Sequence, residues 1–83
     1  MEIRESARKH GIADEDVRHA VDHALARDEL DPDEGERRTL CIGPDRAANL
    51  LEIVVVTFED GEELAVHAMK MRSAYRRLLP RER

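Results

Sequence analysis

The sequence predicts an α+β fold in which two N-terminal helices and a C-terminal helix pack on one face of a three-stranded antiparallel meander, forming one domain over residues 1–83. Three observations predict it. The run LLEIVVVTF at Leu50–Phe58 is almost continuously apolar and β-branched, as a central strand covered on both faces should be. Asp60-Gly61, a pair preferred in tight hairpins, follows directly. On either side of this unit the apolar residues recur with a helical rather than a two-residue period.

In chain order, Glu2 to His10 reads as a short helix that stops at Gly11, with Lys9 and His10 placed to complement its C-terminal dipole. Its apolar stripe is thin, chiefly Ile3 and Ala7. A stronger helix spans Asp14 to about Ala26, with Val17, Ala20, Val21, Ala24 and Leu25 on one face and three acids in the first turn. His19 and His23 lie four apart on it, the spacing of a metal-binding pair. No third ligand accompanies them at a fixed spacing, so they read as surface residues and no metal is expected. Asp28 to Glu36, with six acids in nine residues and no apolar periodicity, reads as a loop; the acids do not match a calcium-binding loop. Arg37 to Gly43 reads as the first strand of the meander, and GPDRAAN as the loop that follows. Leu50–Phe58 is the second strand and Glu63 to Met69 the third. From Lys70 the period becomes helical, with Met71, Ala74, Tyr75, Leu78 and Leu79 on one side, until Pro80.

The chain has 83 residues, of which 40% are charged and 2% aromatic, with a mean hydropathy of -0.63. So short a chain buries a small core, and association with a second copy or a partner chain would add to its stability. One cysteine, Cys41, excludes an internal disulfide and a zinc finger, and its place on an apolar strand makes it a core residue. The absence of a signal-peptide-like apolar segment in MEIRESARKH, and of any run near the ~20 apolar residues of a membrane span, gives a cytoplasmic expectation. The net charge of -5 argues against a general nucleic-acid binder, but it is uneven: residues 1–36 carry 12 acids and 5 bases, residues 37–83 carry 7 acids and 9 bases. Because screening limits exposed charges to about 10 Å, a basic region on an acidic protein can still attract a polyanion.

The chemistry-bearing residues gather in the basic half: Glu52, His67, Lys70, Arg72 and Tyr75. Such a set suits RNA cleavage by attack of a 2'-hydroxyl on the adjacent phosphate, which needs a base, a cation for the charge that develops, and an acid for the leaving 5'-oxygen. Glu52 or His67 is the candidate base, Arg72 or Lys70 the phosphate clamp, Tyr75 or His67 the acid. Arg37, Arg76, Arg77, Lys9 and His10 are candidates for holding the RNA. No metal or other cofactor is required. The alternative is a non-enzymatic α+β interaction module, in which Glu52 pairs with an arginine and Tyr75 is core.

KHGI at Lys9–Ile12, RTLCIG at Arg38–Gly43, LLEIVVV at Leu50–Val56 and AVHAMKMRSAYRRLL at Ala65–Leu79 resemble motifs of the small BrnT-like toxins of bacterial type II toxin–antitoxin systems, within the wider RelE-like fold group. Where that family has an arginine soon after a Ser-Ala step, this sequence has His67, Ala68, Met69 and Lys70, and its nearest arginine is Arg72; the strand expected before the KHG segment is missing or reduced to Met1–Arg4. The resemblance implies a translation-inhibiting endoribonuclease neutralised by a cognate antitoxin, in a toxin–antitoxin hetero-oligomer or as a homodimer.

Overall fold

The computed structural model describes residues 1–31 and 35–81. It is a five-stranded sheet with one α-helix and two short 3₁₀ helices, which corrects the expected pattern of two helices, a three-stranded meander and a closing helix. The strands are β1 (Glu2–Ile3), β2 (Ala26–Leu30), β3 (Glu36–Pro44), β4 (Leu50–Phe58) and β5 (Glu63–Lys70), and α1 is Asp14–Asp22. The spatial order is β1-β5-β4-β3-β2, with β1 parallel to β5 and every other pair antiparallel. The meander β3–β4–β5 lies at the centre, and one further strand flanks it on each side.

Each departure has a local cause. The expected first helix is β1 followed by a 3₁₀ helix at Glu5–Arg8. Two apolar residues four apart cannot sustain an isolated helix, whereas Ile3 opposite Ala65 becomes buried and the Arg4 amide donates to the Ala65 carbonyl at 2.8 Å. The helix expected to reach Ala26 ends at Asp22. His23 leaves the helical region at φ -111°, and the Leu25 amide is taken by the Ile42 carbonyl at 2.7 Å, so Leu25 is 51% exposed instead of packed. Ala26–Leu30, which spans the expected end of that helix and the first residues of the loop expected from Asp28, instead pairs with β3 along its length. Its sequence ARDEL lacks alternation because β2 is an edge strand, and charged side chains on an edge resist pairing with other chains. Pro32–Glu34 of the expected acidic loop lie outside the described residues.

The C-terminal helix is likewise shorter than its periodicity predicts. Lys70 continues β5 opposite Leu51, and the Met71 amide donates to the Leu50 carbonyl at 3.0 Å. Arg72 is held extended at φ -78°, ψ 148°, so helical geometry begins only at Ser73. Leu79, extended because it precedes Pro80, ends it after a 3₁₀ helix of six residues, Ser73–Leu78. The meander strands and the Gly61 turn match expectation; Gly61 takes φ +89°, a conformation open to glycine at no steric cost.

The two sheet faces differ. On one, α1 and the N-terminal 3₁₀ helix pack Val17, Ala20 and Ala7 against Cys41, Leu51, Ile53, Val55, Ala65 and Ala68. Gly43 lets α1 approach closely: a Cβ there would collide with the Ala20 carbonyl and lie 3.1 Å from the Ala24 Cα. The other face carries buried Leu40, Ile42 and Val56 together with Glu52, and the chain leaving β5 continues to the C-terminal 3₁₀ helix, which reaches β2. No helix among the described residues is long and apolar enough to cross a membrane.

Candidate functional site

The site begins with a break in strand alternation. Val54 pairs with His67 but Val55 pairs with Ala65, leaving Val66 as the extra residue of a β-bulge. A bulge resets which residues share a face. Strict alternation would group Ala65 with His67 and Met69. Instead Leu64, His67 and Met69 lie opposite Val56, Val54 and Glu52, while Ala65, Ala68 and Lys70 lie opposite Val55, Ile53 and Leu51 on the α1 face. Both alanines can therefore fill the core while His67 joins Glu52. The Ser6 hydroxyl donates to the Val66 carbonyl at 2.7 Å, so the 3₁₀ helix also satisfies the bulged edge.

Glu52 is the hub. It is only 1% exposed, and a buried carboxylate is tolerated only when paired and hydrogen-bonded. Its Oε1 accepts from the Arg72 backbone amide at 2.9 Å and from Arg72 Nε at 3.1 Å. Its Oε2 accepts from Arg72 Nη2 at 2.8 Å and from His67 Nε2 at 2.9 Å. Burial pushes the Glu52 pKa up and is the largest single influence, but the bonds from Arg72 and His67 together outweigh it and hold the value down to about 2. Glu52 is thus an anion at neutral pH, too weakly basic and too enclosed to take a proton from substrate. The same pairing raises the Arg72 pKa.

The carboxylate in turn fixes the histidine. An ionised carboxylate only accepts, so Nε2 of His67 carries a proton, and it is Nδ1 that offers a lone pair when the ring holds one proton only. No described residue bonds to Nδ1, and the side chain is 30% exposed. This is the arrangement of a general base: a buried anion orients the imidazole and stabilises the imidazolium that forms. Arg72 is anchored yet usable. Its Nε and one terminal nitrogen face Glu52, its side chain remains 57% exposed, and the outer N–H groups of the fork can meet a phosphate. The Arg72 Cζ sits 5.6 Å from the centre of the Tyr75 ring, a cation–π contact that further restrains it.

His10, which the sequence offers as an RNA contact, lies at the same place: its ring centre is 6.0 Å from that of His67, at an interplanar angle of 77°. Glu52, His67, Arg72, Tyr75 and His10 are therefore brought together. Lys70 is not, because it points to the α1 face opposite Leu51. Arg37 is also apart; it pairs with Thr57 near the other end of β4 and is bonded to Glu29 at 3.1 Å. Lys9, Arg76 and Arg77 are exposed. Nothing in the sequence reveals the bulge, since Val66 is neither glycine nor flanked by one, and the proximity of His10 to His67 depends on it.

Two other candidate groups are structural. The rings of His19 and His23 stack 4.1 Å apart. Their Nδ1 atoms donate to the carbonyls of Pro44, at 2.8 Å, and His19, at 2.9 Å, tying α1 to β3 and closing its C-terminal turn. Among the described residues no group of three or more His, Cys, Asp or Glu side chains could hold a metal. The Cys41 thiol is buried, and burial pushes its pKa up, away from the reactive thiolate.

A concavity of about 560 Å³ opens at the far end of the sheet, lined among others by Leu30, Arg37 and Phe58, and no residue of the Glu52 cluster lines it. In the Glu52 cluster the side chains of His67 and Arg72 reach solvent, at 30% and 57% exposed, while Glu52 does not. Comparison with protein families, with curated proteins and with solved structures finds no match to this chain.

Proposed function

We propose that this protein is a metal-independent endoribonuclease that cleaves RNA by 2'-hydroxyl attack, and that it is the toxin half of a toxin–antitoxin pair. The observation that carries the chemistry is the His67–Glu52 pair: a partly exposed imidazole whose proton is fixed on Nε2 by a buried anion, with Nδ1 open to substrate and a charged Arg72 alongside. His67 Nδ1 removes the 2'-hydroxyl proton as that oxygen attacks phosphorus, Glu52 stabilises the resulting imidazolium, and the outer N–H groups of Arg72 stabilise the charge on the phosphate oxygens. The products are a 2',3'-cyclic phosphate and a free 5'-hydroxyl. No step requires a metal. The likeness of the KHGI, RTLCIG, LLEIVVV and AVHAMKMRSAYRRLL segments to BrnT-like toxins supports the biological setting, in which a cognate antitoxin silences the activity.

The purified protein should degrade RNA in the presence of a chelator, and its expression without a partner should arrest growth. His67→Ala should lower the cleavage rate by about 10²- to 10⁴-fold, the usual worth of a general base, while leaving the circular dichroism spectrum unchanged. RNA left intact by the folded wild type would overturn the reading. One observation favours the second reading, a non-enzymatic interaction module: four intramolecular bonds fill the coordination of Glu52, as in a purely structural network. On that reading expression is harmless and His67→Ala has no phenotype beyond stability.

A further inference from the structure

We propose that His10 is the second catalytic imidazole, the general acid that protonates the leaving 5'-oxygen. This inference rests on the ribonuclease reading, and goes beyond it by assigning a proton donor. Cleavage needs two proton transfers at two different oxygens: one leaves the attacking 2'-hydroxyl, the other arrives on the departing 5'-oxygen. His67 can serve only the first at the start of a turnover, because its Nε2 proton is committed to Glu52 and its Nδ1 must be unprotonated to act as base.

His10 is placed for the second. Its ring centre lies 6.0 Å from that of His67, and the rings meet edge to face at 77°, so they are neighbours without stacking. At that spacing two imidazoles can flank one phosphate, each within the roughly 2.6–3.2 Å that proton transfer requires, but at a different oxygen. His10 is exposed, and no described residue forms a hydrogen bond with its ring nitrogens.

Its backbone, by contrast, is fixed from both sides. Before it, the 3₁₀ helix is docked on the bulge through Ser6 Oγ to the Val66 carbonyl at 2.7 Å, and the Arg4 amide bonds the Ala65 carbonyl at 2.8 Å. After it, Gly11 turns the chain at φ +75° and donates to the Arg8 carbonyl at 3.0 Å. The two-pronged Arg8–Asp14 contact, at 3.0 and 2.8 Å, ties the turn to the start of α1. An exposed side chain without hydrogen-bond partners among the described residues, on so restrained a backbone, is what a proton donor that must meet a substrate requires. Tyr75, the other candidate acid, is engaged by Arg72 through its ring.

The balance of the step is complete. The 2'-oxygen–phosphorus bond forms and the phosphorus–5'-oxygen bond breaks. The 2'-hydroxyl proton goes to His67 Nδ1, and a proton from the His10 imidazolium goes to the 5'-oxygen, so the two rings exchange protonation states and return to the start through water.

The test compares two substrates: an RNA dinucleotide, whose alkoxide must be protonated as it leaves, and a nucleoside 3'-(4-nitrophenyl phosphate), whose phenolate leaves without help. His10→Ala and His10→Gln should each lose about 100-fold or more on the dinucleotide, yet stay within about threefold of the wild type on the aryl ester. His67→Ala should lose activity on both. Equal losses on the two substrates, or no loss on the dinucleotide, would overturn the assignment of His10 while leaving the ribonuclease reading in place. A wild type inactive on both substrates and on RNA would overturn both.

Discussion

The two faces of this sheet are held by opposite means. The α1 face is built from small and medium apolar residues, closed by helix-to-sheet contact over Gly43. The other face buries an anion. Apolar packing is non-directional and indifferent to pH, so the α1 face can only be well or badly filled. The Glu52 face is directional: four hydrogen bonds specify where Arg72 and His67 stand, and they persist only while the carboxylate is ionised. One face supplies stability and the other supplies orientation to side chains that reach solvent. Since removing one partner of a buried ion pair is costly while a hydrophobic replacement of the whole set is often tolerated, the network is better understood as positioning His67 and Arg72 than as holding the sheet together.

Damage to the two faces should separate stability from chemistry. The largest stability effect belongs to the α1 face: Leu51→Ala, at a site 1% exposed, should cost about 2–5 kcal/mol through lost burial and the cavity left behind. Chemical denaturation reads that loss, and cleavage per folded molecule should not change. A parallel fall in specific activity would show that the faces are coupled.

Acid should act through the ionised carboxylates, and within the sheet through Glu52. The Glu52 pKa lies near 2 in the folded protein, below its ordinary value of 4.5. A depressed folded value means that the contribution is complete above about pH 4.5, declines as pH falls, and is gone below about pH 2, amounting to up to about 3 kcal/mol over that range. Asp14, held down by its bond to Arg8, and Asp16, held down by Arg46, act in the same direction. The diagnostic is therefore the difference between proteins: the stability curve of Glu52→Gln should be flatter than that of the wild type between pH 4.5 and 2. Identical slopes would remove Glu52 from the account.

The smallest effect is at the bulge. Ser6→Ala removes the hydroxyl that bonds the Val66 carbonyl and should cost about 0.5–1.5 kcal/mol. Faster amide exchange should be confined to Arg4–Gly11 and to β5 around Val66. A change spread evenly over the sheet would instead mean that the 3₁₀ helix is not independently docked.

Some of this was legible in the residues. LLEIVVVTF could only be a central strand, Asp60-Gly61 only a turn, and the apolar stripe Val17, Ala20, Val21 only a helix face, because each rests on local chemistry and short-range period. Glu52, His67, Arg72 and Tyr75 stood out as reactive residues, but whether Glu52 meets His67 depended on a hairpin register that the residues left open. ARDEL could not be read as a strand, because an edge strand with solvent around it carries no apolar alternation.

The sequence by itself determined the β3–β4–β5 meander, the core of α1 and the concentration of reactive side chains in the second half of the chain, all consequences of local propensity and burial. Only the tertiary structure decided the rest. The bulge at Val66 set which residues share a face with Glu52, the bonds from Arg72 to Glu52 delayed the last helix to Ser73, and docking of the N-terminal turn on β5 brought His10 to His67. These depend on contacts between residues up to 62 positions apart, and such contacts form only where the folded backbone makes them more favourable than the local conformation they displace.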